Sequence, residues 1–306
     1  MLPFHVLAPD AHLRILHYSD MPTLLQIRAT CRFNLAAVQQ ELQSSFKSLL
    51  HERVPVVDSF MAALVANRSY VGGSVAVAFL ARDLDITPGN LDVFTPRFRG
   101  VTLLHHLVHV QKGVDRTEYP QTEEEEEAQR RVWGCDGIWQ IYHVSTPRGQ
   151  VNIYVSVDEE ALVPIAGSWA THLLSYVNPD HFGTAYPVLF FAHRALLGSL
   201  VAYEAVQVKK SVRRGFDLRL FPTQWGDLRV ADCGASRSLC PTQARYFDDS
   251  EALCTRFQPL QTAYVDPTVV WRMDGRPCGQ DCYLDYEQML HHRTRWYKYR
   301  ARWVSR

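Results

Sequence analysis

The chain has 306 residues, 47% hydrophobic and 21% charged, enough for a sizeable core and two or three modules. Lys+Arg and Asp+Glu both number 32, so global charge selects no partner and only local patches can. The start lacks a signal-peptide pattern, no apolar run reaches membrane-span length, and seven cysteines make no disulfide scaffold, so the expectation is an intracellular protein with no membrane partner.

In chain order, Leu7, Leu13, Ile15, Leu16, Met21, Leu24, Leu25 and Ile27 recur at helical spacing, punctuated by Pro9 and Pro22. Ser19-Asp20 before Met21-Pro22 reads as an N-cap followed by a first-turn proline. Residues 35–66 read as two helices divided by Pro55. A short strand then runs from Tyr70 into Gly72-Gly73-Ser74. The two glycines permit a sharp turn and close approach of a ligand, and Ser74 is placed to cap a helix reaching about Leu84. Such a turn offers backbone N–H groups to a phosphate, or simply shapes a corner. Leu91-Asp92-Val93-Phe94 alternates as a strand ended by Pro96. Residues 101–112 read as a helix, and the acidic run Glu123–Glu127 as an exposed loop or helix start. Two β-rich runs, Gly137–Val144 and Val151–Val157, flank the hairpin signal Ser145-Thr146-Pro147-Arg148-Gly149.

The later chain reads as helical from Ala161 to Tyr176, then as one long helix from Pro187 to about Lys210. Lys209-Lys210 and Arg213-Arg214 at its end suit the helix dipole, a reading preferred there over nucleic-acid binding. Cys233, Cys240, Cys278 and Cys282 sit beside turn residues and are candidate zinc ligands. Buried free thiols are the favoured reading, because the first pair is spaced too widely for a usual knuckle. From Tyr283 the spacing of Tyr286, Met289, Trp296 and Trp303 predicts an amphipathic helix. Its basic and aromatic residues are a candidate nucleic-acid contact, or the solvated face of a docked helix. His105 and His109 share a helical face as metal ligands would, without the glutamate of a metalloprotease helix.

Two resemblances follow. The order of the first 45 or so residues, closing on Cys31-Arg32, resembles a degenerate F-box. That implies docking on the Skp adaptor of a cullin–RING ubiquitin ligase through Leu13, Leu16, Leu24, Leu25 and Ile27. The Gly-Gly-Ser turn, helix and acid-bearing strand resemble the polymerase-β-like nucleotidyltransferase superfamily. Fungal chains joining an F-box-like start to such a domain look similar over nearly this whole length, at Tyr70–Ala78, Leu91–Pro96, Val151–Pro164 and Tyr186-Pro187. In active members three acids hold two divalent metals that activate a hydroxyl and stabilise departing pyrophosphate. The corresponding positions here are Asn90, Asp92 and Asn152, so two of the three acids are amides. A second register, Asp83-Leu84-Asp85-Ile86, keeps an acid pair, but Thr87-Pro88-Gly89 cuts that strand short.

The expected architecture is α+β. F-box-like helices span 1–50, a nucleotidyltransferase-like α/β core with a mixed sheet spans 51–210, and a helical, cysteine-containing region spans 211–306. The expected function is an inactive nucleotidyltransferase fold serving protein interaction or ligand binding, as a ubiquitin-ligase substrate adaptor. Gly72, Gly73 and Ser74 would then meet the phosphate. The alternative is an active nucleotidyltransferase using Mg or Mn with a nucleoside triphosphate.

Overall fold

Apolar residues spaced by four build the first layer of this computed structural model, which describes residues 8–134, 137–198, 205–228, 239, 245–258, 269–271, 273 and 296–298. Helix α1 is Pro9–Tyr18, α2 is Met21–Arg28 and α3 is Arg32–His51. Asp20 caps α2, accepting the Thr23 N–H at 2.8 Å, with Pro22 in the first turn. Along α3, Val38, Leu42, Phe46 and Leu50 form one fully buried stripe. Pro55 separates α3 from α4 (Val57–Ala66), as the sequence predicts.

Strand β1 (Tyr70–Gly72) turns directly into α5 (Gly73–Leu80), and β2 (Leu91–Thr95) follows. Then come α6 (Gly100–His109), β3 (Val114–Asp115), α7 (Glu123–Gly134) and the hairpin β4 (Ile138–Ser145) with β5 (Gln150–Ser156). The acidic run thus opens α7, where carboxylates suit the positive end of the helix dipole.

Further along, the structure departs from the expected long helices. After α8 (Val163–Ala166), Tyr176 lies in strand β6 (Ser175–Val177), which the Asn178–Asp180 turn pairs with β7 (His181–Thr184). The expected helix from Pro187 to Lys210 is three pieces: α9 (Pro187–Phe191), β8 (Arg194–Leu196) and α10 (Ala205–Arg213). His193, with φ of 54°, reverses the chain after α9. Strands β9 (Asp217–Arg219), β10 (Leu253–Arg256) and β11 (Val269–Trp271) follow. Trp296–Lys298 is strand β12, paired antiparallel with β11, so the expected terminal helix does not hold there. Tyr286, Met289 and Trp303 lie outside the described residues, as do Cys233, Cys240, Cys278 and Cys282. Cys31 and Cys254 are free and exposed.

The protein is α+β, with a mixed eight-stranded sheet in the order β10-β7-β6-β1-β2-β5-β4-β3. Its one parallel pair, β2 with β5, is made possible by the long crossover through α6, α7 and β4. Leu91, Val93, Val151, Ile153 and Val155 point to one face, where they share a core with α1 to α6. Leu16, Met21, Leu24, Phe46 and Leu50 belong to that same core, so a boundary after residue 50 would cut through continuous packing. The opposite face packs Tyr70 against Leu162, Ile165, Tyr176, Tyr186 and Trp271. Among the described residues, no helix is long and apolar enough to cross a membrane.

Candidate functional site

The turn after β1 shows why two glycines are needed. Gly73 has φ of +56°, a conformation L side chains rarely adopt, and the Asp92 carboxylate fills the space its Cβ would take. Gly72 likewise lies under the Phe94 ring. Gly73→Ala should therefore destabilise the fold by about 2–3 kcal/mol, from backbone strain and collision together. Urea unfolding checks this, and adding Asp92→Ala should recover part of the loss. Ser74 does not cap α5. Its hydroxyl accepts the Gly89 N–H at 3.1 Å and holds the loop before β2.

Sheet register then builds a polar row. Gly72 pairs with Asp92 across β1 and β2, Asp92 with Asn152 across β2 and β5, and Asn152 with His143 across β5 and β4. The Asn152 amide N–H donates to Asp92 Oδ1 at 2.8 Å, and its oxygen meets His143 Nδ1 at 2.9 Å. The opposite amide orientation would set two acceptors against each other, so chemistry fixes it. It also fixes the His143 tautomer: Nδ1 carries the proton and donates.

Asp92 and Asn152 of this row lie on the floor of a cleft of about 720 Å³. Gly73, Ser74, Asn90, Asp92 and Asn152 all line it, so the structure brings together five of the six residues expected there, while Gly72 is buried in β1 and is not among the lining residues. Phe94 and Tyr154 stack at 4.9 Å beside the row, and Lys210 and Arg214 close the far wall. Burial pushes the Asp92 carboxyl up to about 6, against the opposing pull of Asn152, Lys210, Arg214 and His143. Burial also raises the Tyr154 hydroxyl, with the Asp92 charge adding to it, so this group stays a donor. Arg214 is lowered by burial, and Asp92 opposes that shift.

The donor set does not suit a pair of divalent ions. It offers one carboxylate, and the nearest amide presents N–H to that carboxylate. Among the described residues, no group of three His, Cys, Asp or Glu is arranged to hold a metal. Asp83 and Asp85 are exposed on the loop after α5, and Asp83 is paired with His193 at 2.9 Å, away from the cleft. The His105 and His109 rings do meet on α6, their centroids 4.0 Å apart, without a third ligand among the described residues.

The expected adaptor face is largely occupied. Leu16 and Leu24 are fully buried in the protein's own core, and Leu25 and Ile27 pack partly against it. Of the five expected docking residues only Leu13 is exposed; Ile15 and Tyr18 of the same helix are exposed too, but on its other side. An amphipathic pattern alone does not distinguish a face that meets a partner from one that meets the same chain.

Two parts of the site escaped sequence reasoning, His143, which meets the cleft residue Asn152, and the basic wall. His143 was legible in principle, because it and Asn152 stand equally far from their hairpin turn. Lys210 and Arg214 carried no local signal, since only tertiary packing sets α10 across from β2. Comparison with known protein families, with curated proteins and with solved structures returned no match for this chain.

Proposed function

We propose that the chain carries a nucleotidyltransferase-like core that has lost metal-dependent transfer and binds a phosphate-bearing ligand in its cleft. The observation that carries this reading is the Asn152–Asp92 hydrogen bond facing Lys210 and Arg214. An amide stands where transfer chemistry wants a second carboxylate, and two cations stand where a ligand anion would lie. Asn90, Asn152 and Ser74 add neutral hydrogen-bonding groups on the same wall and floor. The glycine turn and the parallel β2/β5 pair support the resemblance to that superfamily. The adaptor role is proposed on a narrower surface than expected, around the exposed Leu13 of α1, and a Skp pull-down lost in Leu13→Asp would support it.

Isothermal titration with pyrophosphate, in chelator, tests the cleft. Binding should persist without divalent metal and weaken at least about tenfold in Lys210→Ala/Arg214→Ala, the loss of two charge-assisted contacts. Nucleotide transfer that requires Mg²⁺ or Mn²⁺ and disappears in Asp92→Ala would overturn this reading in favour of a working enzyme.

A further inference from the structure

The charge around the cleft mouth is one-sided, although the whole chain is neutral. Lys209, Lys210 and Arg213 are exposed on α10, and Arg214 is half-buried at its end. The loop carrying Thr87, Pro88 and Gly89 lies alongside. Arg214 donates to the Thr87 carbonyl at 3.3 Å, and a Cβ on Gly89 would stand 3.7 Å from Lys210 Nζ. On the loop's other side, Arg53 donates to the Pro88 and Gly89 carbonyls, each at 2.7 Å. The Arg53 stem packs against Gly149 in the β4–β5 turn. Arg148, next in that turn, is exposed and donates to the His51 carbonyl at 2.7 Å. Cations therefore line both sides of one surface loop and continue into the cleft.

The acids on this path are fewer. Glu52 pairs with Arg53 at 3.2 Å, Asp83 (paired with His193) and Asp85 are exposed on the loop, and Asp92 lies on the cleft floor. Among the described residues, none of Lys209, Lys210, Arg213 and Arg148 is held in an ion pair.

We infer that this rim is a track for a single-stranded nucleic acid, laid from Arg213 and Lys209 past the cleft mouth to Arg148. The inference extends the reading of the cleft as a phosphate site, and rests on it for the phosphate nearest Arg214. Shape selects the partner. A lipid surface meets the exposed rim but does not reach Arg214, whereas a chain places one phosphate inside while its neighbours follow the rim. The stacked Phe94 and Tyr154 rings border the cleft and offer aromatic surface to a base, which an acidic peptide would leave unused. The C-terminal stretch that the sequence offers as a nucleic-acid contact lies, apart from Trp296–Lys298, outside the described residues.

Fluorescence anisotropy of the full chain with a labelled oligouridylate of about ten nucleotides tests the track. The logarithm of affinity should fall against the logarithm of salt with a slope of about −2 to −3, the release expected for three or four phosphates. Arg148→Ala, and separately Lys209→Ala/Arg213→Ala, should weaken oligonucleotide binding several-fold while pyrophosphate binding is unchanged, because these residues lie outside the cleft. Oligonucleotide binding that ignores both variants would overturn the track and leave the cleft reading standing. Loss of pyrophosphate binding with the track intact would sink only the cleft reading. Association with phosphatidylserine vesicles in place of the oligonucleotide would assign the rim to a membrane and overturn the inference. Failure to bind either phosphate probe would overturn both.

Discussion

Arg82→Ala is expected to remove about 3–5 kcal/mol of stability, the loss typical of breaking one partner out of a buried ion pair. Arg82 joins the N-terminal helices to the body. Its guanidinium pairs with Glu41 of α3 at 2.6 Å, with side chains only 9% and 11% exposed. It also donates to the His17 and Ser19 carbonyls between α1 and α2, at 2.9 and 3.1 Å, and to the Ser45 hydroxyl at 2.8 Å. Burial alone would raise the Glu41 carboxyl, but Arg82, Ser45 and His17 hold it below its ordinary value. Removing Arg82 leaves that carboxylate desolvated and the two carbonyls unpaired. Chemical denaturation should show the loss, and Glu41→Gln in the Arg82→Ala background should cost much less than in wild type, because the stranded charge is gone. A loss below about 1 kcal/mol would mean that the first helices are held by apolar packing alone. A fold normally holds only about 5–15 kcal/mol in reserve. A loss of the expected size would make the N-terminal layer part of the folding unit. Arg28, which donates to the Arg256 and Phe257 carbonyls at 2.5 and 3.1 Å, ties α2 to the sheet's far edge in the same way.

How much of this was legible in the sequence depends on the range of the interaction. The i, i+4 stripe of α3, the Asp20 cap, Pro55 and the β4–β5 hairpin are encoded within a few residues, and the structure follows them. The Gly73 turn was legible because its two glycines have one conformational use. The region from Ala161 to Lys210 was not. Its strands β6 and β8 are three residues long, too short for a two-residue period to show, and Val188-Leu189-Phe190-Phe191 suits a helix or a buried strand equally. The site divides along the same line. Asp92, Asn90, Asn152 and the glycine turn were marked by motif, and they do line one cleft. The basic wall was not, because Lys210 and Arg214 have an adequate local explanation as cations at a helix C-terminus. The docking leucines divide for a related reason: periodicity shows that Leu16 and Leu24 are buried somewhere, and the structure buries them in the protein's own core while leaving Leu13 exposed.

Acid should unfold this protein through its buried histidines. His181 is 1% exposed, edge-on to the Tyr70 and Tyr176 rings, and neither ring nitrogen has a hydrogen-bond partner among the described residues. Burial, helped by the charge of Arg256, lowers it to about 4. His172, at Ser211, is lowered by burial and Arg214 to about 3. In the unfolded chain both would titrate near 6.5. Between that value and the folded one, the unfolded state binds protons that the folded state refuses. Stability therefore falls as pH drops below about 6.5, by roughly 1.4 kcal/mol per pH unit for each histidine. Asp92 acts in the opposite sense: its raised carboxyl takes up a proton on folding between its unfolded value and about 6, offsetting one of the two over that window. The remaining histidine still tilts the balance toward acid lability. His181→Phe isolates the effect, since it keeps an aromatic ring and removes no hydrogen bond shown in the structure. At pH 5 this variant should exceed wild type by about 2 kcal/mol more than it does at pH 7, the linkage integrated down from the unfolded value. Urea midpoints across that range provide the measurement. A wild type and variant whose stabilities run parallel with pH would show that His181 is charged or solvated in the folded protein, and that the cluster around Tyr70 and Tyr176 opens to water.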